Sequence, residues 1–268
     1  MKRLKGHFSN ETAVSTPNGE MLSPYPEEGL QNWKKRRASE RKRLENLGKY
    51  DKAQEPAPPP DGLVLKVFAR PLVRDSGGDL VIYRNPKAHL SKEPGRDHLW
   101  LTEAEWKSLV PRRLEAGERV TVLGPIADRL CRRNLIDLVR IGGEGTPRRA
   151  EDVLLRDLVL IVEEVMPAKV RLRLEGTARF VTRGREYGAP QKEGRQDTFH
   201  LRGLVVYDRK AEIFSRFDIV ALCETGHYDE IGKRLVALGV AFELTRAKAP
   251  VDRVRPHSFY DHYFGARR

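Results

Sequence analysis

Val170–Val181 (VRLRLEGTARFV), Thr198–Tyr207 (TFHLRGLVVY) and Ile213–Cys223 (IFSRFDIVALC) are long runs of alternating, β-branched and aromatic character. In the first, Val170, Leu172, Leu174, Ala178 and Phe180 share one face of a strand and Arg171, Arg173, Glu175 and Arg179 the other. That period of two predicts a sheet with one buried and one wet face. The short polar connections Pro167–Lys169 and Asp208–Glu212 leave no room for a crossover helix, so neighbouring strands are expected to form antiparallel hairpins. Val153–Val165 and Val236–Leu244 extend the pattern. The fold class that follows is mainly β (α+β): a curved antiparallel sheet, sandwich-like or barrel-like, with two or three short helices. Gly176 and Gly203, inside strands, mark expected bulges or tight bends.

Upstream, Leu63–Arg70 (LVLKVFAR) reads as a strand, and a Gly77-Gly78 turn leads to a second at Leu80–Tyr83. In Arg96–Val110 (RDHLWLTEAEWKSLV), Thr102 and Glu105 have the spacing of a capping box, so a strand should give way to a short helix there. Trp106, Leu109 and Val110 would form its buried face, and Trp100 belongs to the core. After a short strand at Val120–Leu123, Pro125–Val139 (PIADRLCRRNLIDLV) spaces its apolar residues helically, with proline in the first turn and Gly142-Gly143 closing it. The GGEG at 142–145 lacks the spacing of a phosphate loop and reads as a linker.

Residues 1–61 hold few large apolar side chains and end in the stiff EPAPPPDG spacer, so the expected organisation is a basic arm at 1–61, one β-rich domain at 62–255 with a sub-boundary near 142–150, and a tail at 256–268. Within the arm, Asn32–Tyr50 (NWKKRRASERKRLENLGKY) predicts a short helix carrying Lys34, Lys35, Arg36, Arg37, Arg41, Lys42 and Arg43. It superficially resembles the basic region of a leucine-zipper factor, but Gly48 and the prolines leave no room for a heptad zipper. These seven cations are the candidate contact for phosphate or another acidic partner: nucleic acid, an acidic protein, a polysaccharide or anionic lipid. The formal charge of +12 points the same way.

With 268 residues the chain can bury a core without staples. Cys131 and Cys223 form no C-x-x-C pair and read as two buried thiols. No window approaches the ~18 apolar residues of a membrane span, and the first 19 residues lack the apolar stretch of an export signal, so cytoplasmic residence is the expectation from the residues. For chemistry, His227 and Asp229 in TGHYDE and His257, Asp261 and His262 in PHSFYDHYFG form the candidate metal set. No nucleophile elbow is present, and no cofactor motif is evident. Asp218 is expected to pair with Arg216 on the wet face, and Phe199, Phe214, Phe217 and Tyr207 to pack the core; Phe199, Arg202 and Tyr207 are the alternative, a platform for single-stranded nucleic acid.

The ordered blocks GLVLKVFARPL, DHLWLTEAEWKSLVP, LCRRNLIDLVRIG, VRLRLEGTARFV, GLVVYDRKAEIFSRFDIVAL and LGVAFEL, from Gly62 to about Arg255, resemble a large uncharacterised group of bacterial proteins. The resemblance implies a shared β-rich fold and export from the cytoplasm, and it implies no activity. The function expected is therefore a noncatalytic binding or structural module contacting an acidic partner. The alternatives are a metal-dependent or hydrolytic enzyme built on the histidine loops, and nonspecific nucleic-acid binding through the arm.

Overall fold

The computed structural model describes residues 14–15, 21–23, 26–42, 57–85, 94–139, 147–182, 185–186, 189–190, 195–229, 234–245, 254–257 and 263–264. The chain divides into two compact units, Met1–Ala57 and Pro58–Arg268. In the first, β1 (Val14–Ser15) pairs antiparallel with β2 (Met21–Ser23), and α1 (Pro26–Lys35) follows. The helix expected at Asn32–Tyr50 thus begins six residues earlier, ends at Lys35, and resumes at 38–42. Pro26 preorganises the first turn and the acidic Glu28 suits its positive end. The rest of the expected helix, 43–50, lies outside the described residues, as does the GGEG linker.

The second unit is built on one antiparallel sheet of nine strands that does not close. Its members are β3 (Leu63–Arg74), β4 (Leu80–Ile82), β5 (Gly95–Leu101), β6 (Arg119–Thr121), β7 (Val153–Val165), β8 (Lys169–Thr182), β11 (Arg195–Asp208), β12 (Ile213–Asp229) and β13 (Arg234–Thr245). The short pair β9 (Arg185–Glu186) and β10 (Ala189–Pro190) stands apart from it. The order is β4-β3-β13-β12-β11-β8-β7-β6, with β5 beside β3 on the same flank as β4. Hairpins join β7 to β8 and β11 to β12, as the polar turns predict.

Between β5 and β7 in sequence lie α2 (Glu103–Lys107), α3 (Gly124–Arg129), and a π-helical turn at Leu130–Asn134. The capping box is present: the Thr102 hydroxyl accepts from the Glu105 amide at 3.2 Å, and Glu105 Oε2 accepts from the Thr102 amide at 2.8 Å. The single helix expected over Pro125–Val139 is instead α3 running into the wider π turn, in which the Leu135 amide reaches back to the Leu130 carbonyl at 3.1 Å.

These helices show how far the sheet curls. Asp128 reaches Arg156 of β7 at 3.8 Å, while its neighbour Arg129 donates to the Trp100 carbonyl of β5 at 3.0 Å. β5 and β7 are six strands apart in the sheet order, a separation of about 29 Å if the sheet were flat. Two consecutive residues bridge them because the sheet wraps around α2, α3 and the π turn. One continuous core fills the concave side: Leu65 and Val67 of β3, Leu160 of β7, Leu172 of β8, Leu201 of β11, Ile219 of β12 and Val240 of β13 pack with Trp106, Leu130 and Leu135. The Trp106 ring meets Phe214 of β12 edge-on at 5.9 Å.

Gly176 and Gly203 are not bulges, because the pairing runs through both without a register shift. They are close approaches: a Cβ on Gly176 would lie 2.6 Å from the Asp157 carbonyl oxygen and 2.3 Å from Leu158 Cδ2, and one on Gly203 2.6 Å from the Asp218 carbonyl oxygen. Tight coiling of the inner face leaves no space for a side chain there. Gly176→Ala is expected to lower unfolding free energy by about 1–3 kcal/mol in chemical denaturation, because backbone must move to admit the methyl group.

Candidate functional site

An open sheet leaves a seam, and this one lies along β5. Its inner flank pairs with β3 from Leu63↔Leu101 to Ala69↔Gly95. On the other side, the peptide groups of His98 and Trp100 are met by side chains. The Trp100 amide donates to the Tyr263 hydroxyl oxygen at 3.1 Å, and its carbonyl accepts from Arg129 Nη1 at 3.0 Å. The His98 amide donates to Asp97 Oδ1 at 2.7 Å, and its carbonyl accepts from Asn134 Nδ2 at 3.2 Å. Buried peptide groups without partners are costly, so these side chains stand in for the strand that would have closed the barrel.

Arg129 is the centre of this arrangement. Its side chain is 3% exposed, and its fork meets Glu105 twice, at 2.6 Å and 3.0 Å, while Nε donates to the Tyr263 carbonyl at 2.9 Å. The guanidinium also lies 4.8 Å from the Tyr263 ring and 4.9 Å from that of Phe264. Burial pushes the Glu105 carboxyl up, but the hydrogen bonds from Arg129 and from the Thr102 amide outweigh it and leave the group below its ordinary range. One carboxylate thus caps α2 and neutralises the buried cation.

Asp97, beside it, has no such cation. Its Oδ1 accepts the amides of His98 and of His257, the latter at 2.6 Å, and Oδ2 accepts from Asn134 Nδ2 at 3.0 Å. Burial raises its pKa to about 6, against the two amide bonds, the His257 charge and Asn134, all of which favour ionisation. Tyr263 is likewise pushed well above its ordinary value by burial.

Arg129, Glu105, Asp97 and the Asn134 amide nitrogen all serve structural ties in the seam, whereas Asn134 Oδ1 is buried without a hydrogen-bond partner among the described residues. Cys131 and Cys223 are both buried and unbridged, and burial lifts the Cys131 thiol to about 12. Asp218 pairs with Arg216 on the exposed face. Phe199 is buried in the core whereas Arg202 is exposed on the opposite face of β11, so the two cannot flank one base.

Among the expected metal ligands, His227 and Asp229 belong to β12 by backbone, paired with Val236 and Arg234, and their side chains lie outside the described residues. Asp261 and His262 lie wholly outside them. His257 is exposed and is anchored through its amide to Asp97, which is level with Val67 on β3, Phe242 on β13 and Ile219 on β12. Val236, opposite His227, is six residues from Phe242 on β13, about 20 Å of strand from that level. Among the described residues no group of three or more His, Cys, Asp or Glu side chains is placed to hold a metal.

In the first unit, Lys34, Lys35, Arg37 and Lys42 are exposed and form no ion pair among the described residues; Arg36 pairs with Glu40 at 2.9 Å, Arg41 is half-buried, and Arg43 is outside the description. Several arginines of the sheet are paired with carboxylates. Arg171 reaches Glu163 and Glu164, Arg173 reaches Glu163 and Glu175, and Arg74 reaches Glu224. No family model, curated protein or solved structure matches the chain.

Arg129→Ala is expected to cost about 3–5 kcal/mol of stability, since it leaves Glu105 and two buried carbonyls without their donor. Arg129→Lys should recover little of this, because an ammonium cannot reproduce the fork. Urea denaturation of the two variants reads both effects.

Proposed function

We propose that the protein is a noncatalytic binding module that contacts an acidic macromolecule through the basic stretch 34–42. The observation that carries this reading is the contrast in how cations are used. On the sheet, Arg171, Arg173 and Arg216 face carboxylates across or along strands. In the stretch 34–43, seven cations meet one glutamate, and Lys34, Lys35, Arg37 and Lys42 stand exposed with no carboxylate among the described residues. Such a cluster attracts polyanions by releasing their condensed counterions, with little demand on sequence. The absence of a heptad zipper and of aromatic platforms on the exposed face of β11 favours contact with phosphates or carboxylates over the reading of bases.

The test is fluorescence anisotropy of full-length protein with labelled duplex DNA between 50 and 200 mM salt, alongside the variant carrying Lys34→Ala, Lys35→Ala, Arg37→Ala and Lys42→Ala. The slope of log affinity against log salt is expected to fall in magnitude by about 3–4 in the variant, and heparin to compete. An unchanged slope would remove the cluster from the binding surface.

A further inference from the structure

We propose that β4 is a self-association edge: two copies of the chain pair antiparallel along Leu80–Ile82, across a two-fold axis at Val81, and continue one sheet into the next. β4 is a terminal strand of the sheet, and Leu80, Val81 and Ile82 are 38%, 41% and 41% exposed. Consecutive large apolar residues on an edge strand invite pairing with another strand. The terminal strand at the opposite flank, β6, has the same length but carries Arg119 and Thr121, both exposed, and a charged edge discourages such pairing.

The hydrogen-bond phase of β4 fixes which of its peptide groups face outward. The Asp75 amide donates to the Asp79 carbonyl and the Tyr83 amide to the Pro71 carbonyl, each at 2.9 Å, on either side of the Val73↔Val81 pair. Asp79, Val81 and Tyr83 therefore direct their peptide groups to β3, and Leu80 and Ile82 direct theirs away from it, to a side where no described strand pairs. This outward set is symmetric about Val81. In the antiparallel register that sets Val81 opposite its own copy, Leu80 of each copy meets Ile82 of the other as a hydrogen-bonded pair. Each such pair exchanges both of its N–H···O bonds, so every outward donor and acceptor of the two strands is used. The side chains follow the same symmetry: Leu80 packs beside Ile82 of the second copy on one face, and Val81 beside Val81 on the other.

Charge selects a second copy as the occupant. The strand is acidic at one end, with Asp75 and Asp79 in its turn, and basic at the other, with Arg84. Asp79 and Arg84 are exposed, and neither forms an ion pair among the described residues. Antiparallel self-pairing lays the Arg84 end of each copy along the acidic turn of the other. It sets Arg84 opposite Gly78 and Asp79 opposite Tyr83, so no like charges face each other. Two strands of this length bury well under the ~1,200 Å² of a stable interface, so the dimer is weak and depends on concentration.

Sedimentation velocity of full-length protein up to about 0.5 mM tests the pairing, and the average mass is expected to rise from that of one chain toward that of two. Ile82→Pro deletes an outward amide and leaves the bonds to β3, so it should hold the protein at the mass of one chain with an unchanged melting temperature. On oxidation Val81→Cys should cross-link into a disulfide-bonded dimer, because opposed residues of a non-hydrogen-bonded pair stand about 4.5 Å apart at Cα. Cys131 and Cys223 are buried and do not compete. Leu80→Cys faces Ile82 of the second copy, not itself, and should cross-link about tenfold less. A wild-type mass of one chain at the highest concentration, or equal cross-linking of Leu80→Cys and Val81→Cys, would overturn the self-pairing. So would a mass excess smaller than one chain that Ile82→Pro removes, since it would give the edge to a strand of another protein.

Discussion

An antiparallel sheet that curls without closing must satisfy the peptide groups along its open side, and here that requirement falls on the buried guanidinium of Arg129. Four of the five donors in its fixed plane are used: two meet Glu105 and two meet carbonyls from distant parts of the chain. The same contact joins α2 to α3, both to β5, and the C-terminal residues to all three. Remove the cation and the sheet keeps its hairpins but loses the side chains that close its seam. A buried ion pair is seldom a gain over a well-packed apolar contact; its merit here is that apolar groups cannot bond the carbonyls of Trp100 and Tyr263.

The burial of charge also separates the parts of the molecule by role. In the second unit, Arg129, Glu105 and Asp97 are hydrogen-bonded and largely enclosed, and Arg171, Arg173 and Arg216 have carboxylates within reach. The stretch at 34–42 has the opposite balance, with most cations facing water beside others of the same sign. Like-charge crowding of this kind is tolerated where there is little core to destabilise, and it is relieved when a polyanion arrives.

Much of the sheet was legible because its signal is local. Alternation placed β7, β8, β11 and β13 to within a few residues and the start of β12, which runs six residues past the expected end at Cys223, and Thr102 with Glu105 announced α2. Helix ends were less so: the pattern over Pro125–Val139 is helical throughout, and nothing in it signals that Leu130–Asn134 widens into a π turn. Little of the seam was legible. Asp97 meets His257 across 160 residues, Arg129 meets Tyr263 across 134, and Trp100 meets Tyr263 across 163. Periodicity carries no information at such separations. A faint signal was available in Arg129 and Asn134, two polar residues set within an apolar helical pattern, since burying them demands partners. The histidines attracted attention by residue type, whereas what the structure uses of His257 is its peptide amide.

The register of β3 against β13 also bears on how the chain is made. Leu65 lies opposite Leu244, and every other strand of the sheet lies between them in sequence, so all must be synthesised before those two can meet. On a ribosome adding about 5–20 residues each second, some 180 residues separate the emergence of the two partners, roughly 10 to 40 s. Through that interval LVLKVFARPLV has β5 on one flank and nothing on the other, while the hairpins from β7 to β12 form among themselves. The strand made first is the one whose neighbour is made last, so the nascent chain carries an apolar open edge for most of its synthesis, a natural point of hold for a chaperone.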